Sequence, residues 1–286
     1  MHIPKLTVIV ILLLSGIPKV ADADVTHYYI HIKHDAVEIG CYDSLRLKPV
    51  PFKSYRWDDV NKDEIAAYLI GEDSQAVLFY LHCWLGSVGF YNKDVLKKLE
   101  NLDGIDKTVS IVWESSGLSY HKSWEKARQQ GHQLSRLFEY MLRFNEDSKN
   151  VLLCHSMGHS VFLGLLDGFQ EGRNYFKLIL FAGADLPSDI FQNDLQNLNT
   201  AADSIVIYTH QRDYILLISS ILNHQKRLGM LSSVEQNELS AFPNVEIADV
   251  TKWPGNKALS PSNHIYFKEH EGVRYDMMRR IKEAIK

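Results

Sequence analysis

Ser156 stands in Cys154-His155-Ser156-Met157-Gly158, one mismatch away from Gly-x-Ser-x-Gly. The apolar run Val151-Leu152-Leu153 precedes it, and Val161, Leu163, Leu165 and Leu166 follow. This pattern predicts a strand, a tight turn and a helix. A serine hydroxyl is a weak nucleophile unless a neighbouring base takes its proton. A sharp turn at the tip of a strand lifts the hydroxyl clear of the sheet and aims the start of the next helix at the reacting group. Backbone crowds such a turn, so small neighbours are needed. Gly158 meets that need; Cys154 is small but is not glycine. The chemistry implied is attack by serine on an acyl carbon.

That chemistry requires a histidine to move the proton and an acid to orient it. His264 is the better base, in the loop between the last predicted strand and the last helix. His270 is the rival, but it lies between Glu269 and Glu271, at what reads as a solvated helix entrance. His155 and His159 flank the serine and read as packing or rim residues. Asp213 follows the strand before the last and is favoured as the acid; Asp185, one strand earlier, is the alternative. The oxyanion donors would be the backbone N–H of Met157 and one from the loop after His82, with Trp84 first and Cys83 next. His82, Trp113, Ser115, Tyr120 and Asp185 stand at strand ends as substrate-side residues. No metal and no cofactor is expected.

The elements that must position these groups alternate. Residues 25–33 and 36–42 read as an antiparallel edge hairpin. Pro49 and Pro51 mark a loop, and a short helix over 63–69 has Asn61 as a possible cap. Residues 76–82 form a continuous apolar strand, suited to burial on both faces. A loop with Gly86 and Gly89 leads to a helix over 93–102. Strands then follow at 108–113, at the serine, and at 176–181, 204–208 and 244–250. Helices read at 122–144, from the serine turn to about 169, at 215–222 and at 273–285. Residues 225–243 read as polar and irregular, a partial lid. The expectation is an α/β fold: a mostly parallel, doubly wound sheet of about eight strands with an antiparallel N-terminal edge. In such sheets the site lies at the carboxyl ends of the strands. About 20 residues separate Asp185 from the next strand, so no large cap domain is expected.

The 286 residues are 45% apolar and 23% charged, with a net charge of −4. This is globular composition for one large domain, without the basic patch that nucleic acid requires. Lys5 precedes an uncharged run over 6–14. Ser15, Gly16 and Pro18 break it, and Ala21-Asp22-Ala23 places small residues before a cleavage point. This predicts a signal peptide over 1–23, a single domain over 24–286 and export, periplasmic or secreted, with no membrane span after cleavage.

Together, the strand-end residues resemble a bacterial family of α/β-hydrolases of unknown function, similar to lipases and esterases. A His-Gly-aromatic turn of that family corresponds to His82-Cys83-Trp84, and a Trp-Pro-Ser turn to Trp113-Glu114-Ser115 with Gly117 and Tyr120 beyond. Its Ala-His-Ser-Met-Gly-Asn elbow corresponds to residues 154–159. Asp185 with Ile190-Phe191, Arg212-Asp213, and Asn263-His264-Ile265-Tyr266-Phe267 complete the likeness, over roughly 75–285. The resemblance implies an α/β-hydrolase fold and a triad of Ser156, Asp213 and His264, with Asp185 lining the site. The substrate expected is a small-molecule or lipid ester.

The departures are Cys83 and Cys154 in place of small residues and Glu114 in place of proline. If the strands ending at His82 and Cys154 are neighbours, the two cysteines lie close beneath the nucleophile. A bond between them is then possible in an oxidising compartment, two buried thiols being the alternative. The altered elbow also motivates a second reading, a catalytically inactive α/β-hydrolase fold used for binding. A phosphate-binding doubly wound fold is a third, but the elbow lacks repeated glycines.

Overall fold

Strands with no polar alternation, such as Ala76–Leu81 (β4), are buried along their whole length and so must lie inside a sheet covered on both faces. A computed structural model of the chain describes residues 26–43, 46–87, 95, 97–98, 102–253 and 263–286. The expected signal segment and most of the helix expected over 93–102 lie outside the described residues.

Among the described residues the sheet has nine strands. An antiparallel edge is made by Thr26–Ile32 (β1), Ala36–Tyr42 (β2) and Pro49–Arg56 (β3). The remaining strands run parallel: β4, Lys107–Val112 (β5), Lys149–His155 (β6), Leu178–Ala182 (β7), Ile205–Thr209 (β8) and Val245–Asp249 (β9). The order is β3-β2-β1-β5-β4-β6-β7-β8-β9. The chain therefore reverses its direction of travel at β4, which lies between β5 and β6, and the crevice at that switch is where ligands bind in open sheets.

The ninth strand, β3, falls where Pro49 and Pro51 suggested a loop. It is the outermost strand, where a missing N–H costs no ladder bond, and its pairing with β2 shifts between Ile39 and Gly40.

Side chains alternate between two cores. Val77, Phe79, Leu81, Leu152 and Cys154 face helices Tyr120–Phe144 (α2) and Gly158–Leu166 (α3), together with Ser188–Ala201 (α4). Leu78, Tyr80, Leu153 and Leu180 face the C-terminal helix, Glu271–Ala284. Lys62–Leu69 (α1) begins at the expected cap: Asn61 accepts from the N–H of Glu64 at 3.1 Å. Among the described residues no element forms a separate cap, and no helix is long and apolar enough to cross a membrane.

Tyr214–Asn223 (α5) follows β8. Residues 225–243, expected to be irregular, contain a helix over Ser233–Leu239 (α6), started by a capping box between Ser232 and Glu235. Nor does the stretch before it hang free as a lid. Leu228 and Leu231 are buried, and Leu228 and Gly229 donate to the carbonyls of Leu186 and Ala184. The chain ends with a single turn, Tyr266–Glu269 (α7), and the last helix (α8).

Candidate active site

Ser156 leaves β6 with φ +53°, a left-handed conformation that costs a non-glycine residue about 1–2 kcal/mol. The turn is held in place by its neighbours. The N–H of Ser156 donates to the carbonyl of Ala182 at 3.1 Å, and its own carbonyl accepts from the N–H of Asp185 and from the N–H of His159. Gly158 is required by close approach. A Cβ there would lie 2.7 Å from the carbonyl oxygen of Leu81 and 2.8 Å from that of His82. This contact brings the loop after β4 against the start of α3, where Met157 is buried.

Asp213 follows β8 and is fully buried. One carboxylate oxygen, Oδ2, lies 2.7 Å from Nδ1 of His264; the other, Oδ1, accepts from the N–H of Leu216 at 3.0 Å and caps α5. A carboxylate only accepts, so Nδ1 of His264 carries the hydrogen. The loop bearing His264 is fixed from several sides. Asn263, at φ +51°, donates its side-chain amide to the carbonyl of Arg212. The hydroxyl of Tyr266 accepts from the N–H of Gly183 and donates to the carbonyl of Tyr208. The ring of His264 lies 5.1 Å from that of His155, the residue before the serine, and a Cβ on Gly183 would come within 3.2 Å of it.

His82, His155, His159 and His270 are buried. His159 is buried beside Phe181 and engages the carbonyl of Ser156 through Nδ1 at 2.6 Å; burial lowers its pKa to about 4. Burial, and then His264, push His155 well below the ordinary value. His270 is buried rather than solvated, and its Nδ1 caps α8 by accepting from Val273. His82 and Trp113 clasp each other. Nε2 of His82 accepts from the N–H of Trp113 at 3.1 Å, and the indole N–H of Trp113 donates to the carbonyl of His82 at 3.1 Å. The rings stack 5.4 Å apart. Both residues are buried, so they back the site, and burial lowers the His82 pKa to about 4.

Trp84 and Tyr120 are half-buried and meet edge to face at 5.9 Å. The Trp84 indole donates to the hydroxyl of Ser123, which also accepts from the N–H of Ser116, tying the loops after β4 and β5 together. Ser115 is half-buried beside them. Cys83 and Cys154 are free thiols, as is Cys41, and burial raises the Cys83 pKa to about 11.

Asp185 does not approach the histidine as an acid would. It pairs with Arg227 at 3.3 Å, with both side chains almost wholly buried. It also accepts from Tyr120 at 2.8 Å and from Ser219 at 2.6 Å. Sequence reading had not singled out Arg227 and Ser219. The clue was present: a buried acid at a strand end needs a cation or hydrogen-bond donors, and Arg227 sits in a segment with apolar Leu228 and Leu231 to carry it inward.

Two solved structures are similar in part. One is an iodinated complex of acetyl xylan esterase (TM-score 0.38, 10% identity, covering 74% of this chain and 99% of that one). The other is the catalytic core domain of acetyl xylan esterase from Trichoderma reesei (TM-score 0.36, 11% identity, covering 73% and 97%). Likeness at that level carries no functional argument. No curated protein matches the chain. Residues 60–280 match the family described as "Alpha/beta hydrolase of unknown function (DUF900)", a span that holds the left-handed serine turn, the buried Asp213–His264 pair and strands β4 to β9; the chain belongs to that family.

Proposed function

We propose that this chain is a serine hydrolase that cleaves an ester through an acyl-enzyme formed on Ser156. The observation that carries the reading is the buried hydrogen bond between Asp213 and Nδ1 of His264, whose ring packs 5.1 Å from that of His155, the residue before Ser156 in its left-handed turn. With Nδ1 committed to the carboxylate, Nε2 is the basic nitrogen. In this reading Nε2 takes the Ser156 proton as the hydroxyl attacks the acyl carbon, and Asp213 holds the ring and stabilises the imidazolium. The N–H of Met157 and that of Trp84 or Cys83 would receive the developing oxyanion. His264 then returns the proton to the leaving alcohol, and water releases the acyl group by the same route. Trp84 and Tyr120 would flank the bound ester. In this reading the substrate is a small-molecule or lipid ester, and the apolar run over 6–14 supports export.

Fluorophosphonate labelling with hydrolysis of short p-nitrophenyl esters tests the reading. The folded wild-type protein is expected to label and to turn over, and Ser156→Ala to do neither. A folded wild-type protein that resists labelling would instead favour an inactive binding fold.

A further inference from the structure

Helix α5 turns its apolar side outward. Its ten residues carry no charge, and only Leu216 and Ser219 are buried. Tyr214, Ile215, Leu217, Ile218, Ile221 and Leu222 are between 42% and 66% exposed. An amphipathic helix at a protein surface ordinarily does the reverse. What holds α5 to the body is largely polar. Ser219 donates to Asp185 at 2.6 Å and lies 2.8 Å from the hydroxyl of Tyr120, and its carbonyl accepts from Arg227.

The apolar face does not end with the helix. Tyr120 touches both Ser219 and Trp84, which joins α5 to the loops after β4 and β5. Those loops present Leu85 and Leu118, the latter 86% exposed. The ends of β4 and β5 and the helix after β8 thus each present exposed apolar side chains. Four charged residues flank the helix in sequence. In the segments 211–213 and 224–227, Asp213 is buried against His264 and Arg227 against Asp185; Arg212 and Lys226 are exposed and positive. Lys226 reaches Glu235 at 2.9 Å. An uncharged apolar helix preceded by exposed Arg212 and followed by the Lys226–Glu235 pair matches a surface that is anionic outside and apolar within. At ten residues, about 15 Å, α5 lies on such a surface and does not cross it.

We propose that α5 is a lipid-docking helix that seats the mouth of the site on an anionic bilayer. The inference builds on the ester-hydrolase reading, for which docking supplies membrane-borne acyl esters. The same turn serves both roles, because Asp213 caps α5 with Oδ1 and holds His264 with Oδ2.

Co-sedimentation of the full-length Ser156→Ala protein with vesicles isolates binding from catalysis. Vesicles of phosphatidylcholine and phosphatidylglycerol in equal parts are expected to carry the protein down, and phosphatidylcholine alone to do so several-fold less. The triple variant Ile218→Ser, Ile221→Ser, Leu222→Ser, altered only at exposed positions, should lose binding by about tenfold or more. On the Ser156 background it should cleave a soluble short ester as the wild type does and a vesicle-borne ester far more slowly. Leu222→Ser alone, the milder change, should show an intermediate loss of binding. Absence of vesicle binding by Ser156→Ala, or binding unaltered in the triple variant, overturns the proposal. So does self-association through α5, seen by sedimentation equilibrium, without vesicle binding. Vesicle binding by a protein that neither labels nor hydrolyses would instead leave docking standing and remove the enzyme reading.

Discussion

Asp213 bonds to His264 through one carboxylate oxygen and holds the first turn of α5 through the other. Substitution can separate the two tasks. In Asp213→Asn the amide oxygen can still cap α5, since asparagine caps as well as aspartate. The amide N–H₂ cannot accept from Nδ1, so the histidine tautomer is lost. Ester hydrolysis is expected to fall by about 10³–10⁴-fold, with unfolding free energy within about 1 kcal/mol of wild type. Asp213→Ala should lose the activity and about 1 kcal/mol of cap stability besides. Rates on p-nitrophenyl acetate and urea unfolding read the two effects.

Gly158→Ala places a methyl group against the carbonyls of Leu81 and His82. Backbone must move to admit it. The expected cost is about 1–3 kcal/mol of stability, and a shift of the donor loop should lower kcat by about a hundredfold. Urea midpoints and kinetics at saturating ester decide it. A variant with wild-type kcat would show that the loop after β4 does not set the reaction geometry.

The pair Asp185–Arg227 is buried on both sides. Arg227→Met strands a carboxylate in the interior and is expected to cost about 3–5 kcal/mol. Adding Asp185→Asn removes that charge, so the double variant should be less destabilised than the sum of its parts. A double-mutant cycle by urea denaturation measures the coupling, and strict additivity would contradict a functional ion pair.

His82 and His159 set an acid limit. Burial lowers both to about 4 from an ordinary 6.5, so between those values the unfolded chain binds more protons. The stability that depends on their neutral forms is complete above about pH 6.5 and is lost as pH falls toward 4. The slope is about 1.4 kcal/mol per pH unit for each ring. The urea midpoint should therefore drop steeply from about pH 6.5 to about pH 4.5, and His82→Gln should flatten that decline. A midpoint independent of pH across this window would count against neutral buried rings.

The sheet was legible because buried parallel strands are apolar along their whole length and carry their functional residues at one end. Ser156, Asp213 and His264 each follow such a strand or the last one, so periodicity and order were sufficient to single them out as candidates. β3 was not legible, because Pro49 and Pro51 exclude a central strand and say nothing of an edge. The inward turn of residues 227–231 was hidden by the charges of Lys226 and Arg227, one exposed and one buried. His270 looked solvated between two glutamates, yet it is drawn inward as the cap of α8. Sequence neighbours report local polarity, whereas partners such as Asp185 and Arg227 are brought together only by the turn of the sheet.

The mutual bonds between His82 and Trp113 tie the ends of β4 and β5 together below the loops that carry Trp84 and Ser115. Residues 85–87 and 114–119, beyond Cys83 and Trp84, are therefore a replaceable rim on that frame, where a library of loop sequences can retune what enters the site while Ser156 and its turn stay in place.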